Sequence, residues 1–175
     1  MNPFAFFDLE PRFNIDSQAL RKQFLANQRK WHPDFHAGSP DMHRQAVEQT
    51  AANNQAYALL SDTYSRVKCM LALHGINTEQ EQLLPGDFLM EMMDLNDLIE
   101  EAISGNTNSR EEAENQLGQY FHENEKVLSV LTESADLSAV HHGYSQEILR
   151  EAAALYQKHR YLSRLRKNLS GITEL

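Results

Sequence analysis

A chain of 175 residues with 41% hydrophobic content can bury a core, as one domain or as two small ones. Its apolar stretches last only a few residues, Val67 to Leu73 being interrupted by Lys68, so none is long enough to span a bilayer. A net charge of −9 argues against nucleic acid as the main partner, because phosphate binding needs a basic surface, and the single cysteine, Cys69, excludes an internal disulfide and any CxxC metal or redox pair.

Charge is unevenly spread. Residues 1–75 carry eight Lys and Arg against seven Asp and Glu, net +1, whereas residues 76–175 carry eight against eighteen, net −10. The opening Met1-Asn2-Pro3-Phe4 has no basic n-region, and Asp8 and Glu10 follow early, so a cytoplasmic location is expected. Seven glycines, five prolines and no sustained alternation of apolar and polar residues predict helices throughout and no sheet.

A short first helix is expected around Phe4 to Leu9, stopped by Pro11. A second starts at Asp16, a good N-cap with Ile15 and Leu20 placed as a hydrophobic staple, and runs to about Trp31, since the residue before Pro33 is pushed out of helical geometry. Ser39-Pro40 starts a third, with Val47, Ala51, Asn54 and Ala58 as its apolar series, reaching about Leu60. Ser61-Asp62 caps a fourth that ends near His74, with Gly75 as the stop. Cys69, beside Val67, Met70 and Leu71, reads as a core residue. The polar, Gln/Glu-rich segment that follows predicts a boundary: a first domain over 1–75, a linker over 76–84 and a second domain over 85–175.

The second domain reads as three helices joined by short loops, hence an antiparallel bundle. One runs from Pro85 to Ser104, ended by Gly105. Another opens at Ser109 with Glu112 as a capping box and carries Ala113, Leu117, Tyr120, Phe121, Val127, Leu128 and Leu131. The last runs from about Ser138 to Leu169, with His141-His142 beside Gly143 near its start and one histidine ring exposed.

The segment before residue 35 carries the chemistry. Leu20, Phe24 and Trp31 share one helix face, and Arg21, Lys22, Arg29 and Lys30 lie around the other, forming a cationic stripe. The stripe leads into His32-Pro33-Asp34, an imidazole, a rigid ring and a carboxylate in a loop between two helices. With the following Asn54-Gln55-Ala56-Tyr57-Ala58-Leu59-Leu60 and the short terminal helix, residues 1 to about 75 resemble a J domain. The whole chain is similar to the HscB family of iron-sulfur cluster co-chaperones, with Phe88-Leu89-Met90-Glu91 opening the acidic bundle.

That resemblance implies an all-α fold, a J domain joined to a three-helix bundle. It implies that Arg21, Lys22, Arg29, Lys30 and His32-Pro33-Asp34 contact a dedicated DnaK-type chaperone (HscA-like) and stimulate its ATP hydrolysis. The bundle would hold the iron-sulfur scaffold protein (IscU-like). Two departures stand out: Phe35 and His36 follow the tripeptide where J domains commonly have Lys or Arg, and Thr63 replaces a proline often found at the last J-domain helix. A J-domain adaptor for a different client is the alternative.

On the first bundle helix, Phe88, Met92, Leu95, Ile99 and Ala102 suffice as a core stripe at about 100° per residue. Leu89, Met90 and Met93 remain on the opposite face with Asp94, Asp97, Glu100 and Glu101; by pattern alone they fit spare core and solvated acid as well as a contact surface. The resemblance makes Leu89, Met90, Met93, Asp94, Asp97 and Glu101 the scaffold-binding set, with Tyr161 as an aromatic contact. No catalytic residue, metal site or cofactor is expected. Pro33 breaks the helix that would align His32 with His36 as ligands, and paired carboxylates such as Glu100 with Glu101 or Glu111 with Glu112 lie on helix surfaces without a cleft. No nucleic acid, no membrane and a monomer complete the expectation.

Overall fold

The computed structural model describes residues 2–36, 38–79 and 84–171, without the side chains of His141 and His142; the ring expected to be exposed there, and residues 80–83 of the expected linker, lie outside it. The described residues are helical and divide into two compact units, Met1–His74 and Gly75–Leu175.

In the first unit, α1 (Pro3–Phe6) is capped by Asn2, whose Oδ1 accepts from the Phe4 amide at 3.0 Å. It ends earlier than expected: Phe7 is already its C-cap and Asp8 turns to a φ of 53°, so the chain has left the helix before Pro11. The turn lets Phe4, Phe7 and Phe13 all be buried. Helix α2 (Ser17–Lys30) begins where Asp16 Oδ1 accepts from the Gln18 and Ala19 amides at 2.8 and 3.0 Å, satisfying two of the donors that a helix start leaves open. A 3₁₀ turn, Pro33–His36, joins it to α3 (Pro40–Ser61), which has proline in its first turn. Helix α4 (Thr63–Leu73) needs no proline at its start, because the Asp62 carboxylate accepts from the Ser65 amide at 2.7 Å.

Helix α3 is the hub, packed by α1, α2, the 3₁₀ turn and α4. Its buried residues are Ala46, Asn53, Ala56 and Leu60, not the expected series; Val47 is 48% exposed. Small side chains on the inward face let several neighbours approach at once, and that face lies about 145° around the helix from the expected one at about 100° per residue. Cys69 is half-buried rather than core, while Val67, Met70 and Leu71 are fully buried. Arg66 ties α4 back to the loop before α2, its Nε donating to the Phe13 carbonyl at 2.6 Å.

The second unit is a bundle of α5 (Gly86–Ile103), α6 (Thr107–His142) and α7 (Gln146–Ser170). Phe88, Met92, Leu95, Ile99 and Ala102 of α5 pack with Ala113 and Leu117 of α6 and Leu162, Leu165 and Leu169 of α7, so the expected core stripe is the observed one. Helix α6 starts one turn before the expected capping box: Asn106 is the N-cap, accepting from the Asn108 and Ser109 amides. It also runs on through His142 to Gly143, whose φ of 71° stops it, so Ser138 and His141-His142 close α6 instead of opening α7. Ser145 caps α7.

Candidate partner-binding sites

The first candidate site forms where α2 meets its turn. Two side chains of α3 hold α2 in antiparallel register: Asn53 Nδ2 donates to the Phe24 carbonyl at 3.1 Å and Thr50 Oγ1 to the Trp31 carbonyl at 2.9 Å. Phe24 stacks on Tyr57 with ring centroids 4.2 Å apart. With that face anchored, Arg21, Lys22, Arg29 and Lys30 are all exposed, and Lys30 Nζ lies 5.1 Å from the Trp31 ring.

The tripeptide is shaped by its own backbone. His32 Nδ1 accepts from the Asp34 amide at 3.3 Å, and the Phe35 amide donates to the His32 carbonyl at 3.0 Å. The Asp34 carboxylate, with 85% of its side chain exposed, lies 3.6 Å from His32 Nδ1. His36 turns the other way, its Nε2 bonded to the Lys30 carbonyl at 3.0 Å, so the two imidazoles are engaged separately. A shallow groove of about 340 Å³ is lined by Leu25, Gln28, Arg29, His32, Asp34 and Phe35. Two of its walls, Leu25 and Phe35, are exposed apolar side chains that sequence reasoning did not assign to the site; their signal was apolar residues placed next to the stripe and the tripeptide.

The second candidate site is the outward face of α5. At about 100° per residue, Leu89, Met93, Asp97, Met90, Glu101 and Asp94 span an arc of about 140° opposite the core stripe. Met90 and Met93 are 70% and 67% exposed; Leu89, at the edge, is half-buried against the core. Asp94, Asp97 and Glu101 are exposed. One edge of the face borders α6. There Glu101 Oε2 accepts from Ser109 Oγ at 2.6 Å, and burial, reinforced by the carboxylates of Glu91, Glu123 and Asp94, pushes the Tyr120 phenol above its ordinary pKa.

The other edge borders α7. The Tyr161 hydroxyl accepts from Asn96 Nδ2 at 3.2 Å, and the Tyr161 ring meets Phe88 edge-on at 5.9 Å. The Arg164 guanidinium lies 4.8 Å from the centre of the Tyr161 ring. Thus α5 and α7 bring the six α5 residues and Tyr161 onto one surface. Asn96 and Arg164 were not among the expected residues; only the spacing of three between Tyr161 and Arg164 hinted at the second.

Residues 84–170 match the family model described as the HSCB C-terminal oligomerisation domain. Residues 84–170 thus carry the C-terminal domain of the HscB family, and the chain as a whole is similar to HscB co-chaperones. Two curated relatives from Vibrio cholerae O1 strains O395 and N16961, each named co-chaperone protein HscB homolog, are 41% identical over 103 residues. That stretch is 57% of this chain and 60% of theirs, so the match spans less than two thirds of the relatives' length. The solved chaperone HscB from Vibrio cholerae aligns with a TM-score of 0.65 at 26% identity over 98% of this chain and 97% of its own. Human co-chaperone protein HscB aligns with a TM-score of 0.71 over 97% of this chain and 81% of its own; at 24% identity that likeness bears on the fold alone. The architecture of this HscB-like chain is therefore all-α, a J domain followed by a helical bundle. No described helix is long and apolar enough to cross a membrane.

Proposed function

We propose that this chain is a non-catalytic co-chaperone of iron-sulfur cluster assembly, acting in the cytoplasm. Its J domain stimulates ATP hydrolysis by a dedicated DnaK-type chaperone (HscA-like), and its bundle delivers an iron-sulfur scaffold protein (IscU-like). The observation that carries the reading is the His32-Pro33-Asp34 turn, braced by α3 and adjoining four exposed cations of α2. The cations steer an acidic chaperone surface into contact, and the exposed Asp34 carboxylate is then positioned to act on it. The α5 face supplies apolar side chains beside carboxylates, which suits a scaffold surface that is apolar with basic groups around it.

The deciding experiment is single-turnover ATP hydrolysis by the chaperone with this chain, with scaffold, and with both. Stimulation by the chain alone and a larger effect with scaffold present support the proposal. Stimulation without any scaffold effect favours the adaptor for a different client; no stimulation defeats both.

A further inference from the structure

We infer that Arg164 receives a carboxylate of the scaffold protein and so fixes the orientation in which that partner lies on the α5 face. This rests on the scaffold-binding reading above and adds a residue and a direction to it.

The bundle's net negative charge conceals a strong separation. Helix α5 carries Asp87, Glu91, Asp94, Asp97, Glu100 and Glu101 and no Lys or Arg. Helix α7 carries Arg150, Lys158, Arg160, Arg164, Arg166 and Lys167 against only Glu147 and Glu151. The apolar strip of Leu89, Met90 and Met93 lies between these two kinds of surface. Toward α6 its border is acidic, through Asp94 and Glu101 and the carboxylates around Tyr120. Toward α7 its border is cationic, with Lys158 Nζ 5.0 Å from the Phe88 ring and the Arg164 guanidinium 4.8 Å from the Tyr161 ring.

Tyr161 itself has little left to offer. Its hydroxyl is engaged by Asn96, its ring meets Phe88 edge-on, and the Arg164 guanidinium lies over it. A partner that reaches Tyr161 therefore meets the guanidinium first. Arg164 is exposed, and among the described residues no carboxylate pairs with it. A guanidinium resting on an aromatic ring is weakly hydrated and keeps its N–H edge available for two parallel bonds to a carboxylate. Opposite charges on the two borders of one apolar strip accept a partner in one orientation and repel it in the reverse one. The partner this surface fits is a folded protein with an apolar patch flanked by a carboxylate on one side and Lys or Arg on the other.

The test uses the full chain and the apo IscU-like scaffold of the same organism, titrated by calorimetry at low and high salt. Arg164→Met keeps a flexible apolar cover on Tyr161 without the charge, Arg164→Glu reverses the charge, and Arg164→Lys retains it. Binding should weaken about threefold for Arg164→Met and about tenfold for Arg164→Glu, and by less than Arg164→Met for Arg164→Lys, which keeps the charge but not the two parallel bonds. The gap between the parent and Arg164→Met should narrow in high salt. Met90→Ala/Met93→Ala is measured alongside. If that pair binds like the parent, the scaffold-binding reading itself falls. If the pair loses binding while Arg164→Met and Arg164→Glu bind like the parent at low salt, that reading stands and the role of Arg164 is overturned. Equal losses in Arg164→Lys and Arg164→Met, unchanged by salt, would mean packing rather than charge and would also overturn it.

Discussion

Replacing Met90 and Met93 together by Ala separates a contact surface from a packing surface. With 70% and 67% of their surface exposed, these side chains bury only about a third of what folding could bury. Full burial of a methionine is worth about 1.5–3 kcal/mol, so each truncation removes about 0.5–1 kcal/mol, and the better helix propensity of Ala returns a few tenths. The pair should cost about 1 kcal/mol net and lower the bundle's melting temperature by about 5 °C. Leu95→Ala is the packing control: Leu95 is fully buried, and its truncation should cost about 2–5 kcal/mol. Leu89 is left intact because it already packs on the core and would blur the contrast. Against that small structural cost, loss of two apolar anchors should weaken scaffold binding by about 2 kcal/mol or more, about thirtyfold, without simple additivity. Circular dichroism melting gives the first number and calorimetric titration of scaffold the second. A pair variant that melts as early as Leu95→Ala, or that binds scaffold like the parent, refutes the assignment of this face.

Asp34→Asn should abolish stimulation of the chaperone ATPase while changing stability by no more than about 0.5 kcal/mol, since the side chain is exposed; a folded variant that still stimulates fully removes the J-domain role. Arg29→Glu/Lys30→Glu should raise the half-maximal concentration for stimulation mainly by slowing association, an effect that stopped-flow mixing should see fade with added salt. Asn53→Ala should cost about 1–3 kcal/mol in thermal melting of the first unit, because Asn53 is 1% exposed and its amide joins α3 to the Phe24 carbonyl of α2. Burial pushes the Cys69 thiol above its ordinary 9.0, with Lys68 opposing. The folded state therefore favours the neutral thiol: this contribution is complete below the ordinary value and is lost as pH rises through the raised one. Urea midpoints should fall on that alkaline side and fall less in Cys69→Ser; equal slopes would refute it.

What the sequence made legible was mostly local. Asp16 and Asp62 cap helices through carboxylates two or three residues from the amides they satisfy, so neighbours in sequence were enough to place α2 and α4. The border between α6 and α7 was placed near Ser138, yet the Ser138 hydroxyl bonds back to the Ser134 carbonyl at 2.9 Å inside a continuing helix. Ser109 misled for a related reason: its hydroxyl serves Glu101, eight residues away on another helix. On α3, helical spacing from Val47 picked out Ala51, Asn54 and Ala58, whereas the neighbours packed on that helix bury Ala46, Ala56, Leu60 and a bonded Asn53. The α5 surface shows the same division between local and tertiary information. Its apolar and acidic members could be read from one helix wheel, because all of them sit on one element. Tyr161 came from family likeness alone. What Tyr161 presents to a partner depends on Asn96, 65 residues away, and on the Arg164 guanidinium over its ring. The bond from Asn96 fixes the Tyr161 hydroxyl against α5, while Arg164, three residues further along α7, covers the ring, and under the inference drawn above that guanidinium gives an otherwise acidic surface a direction.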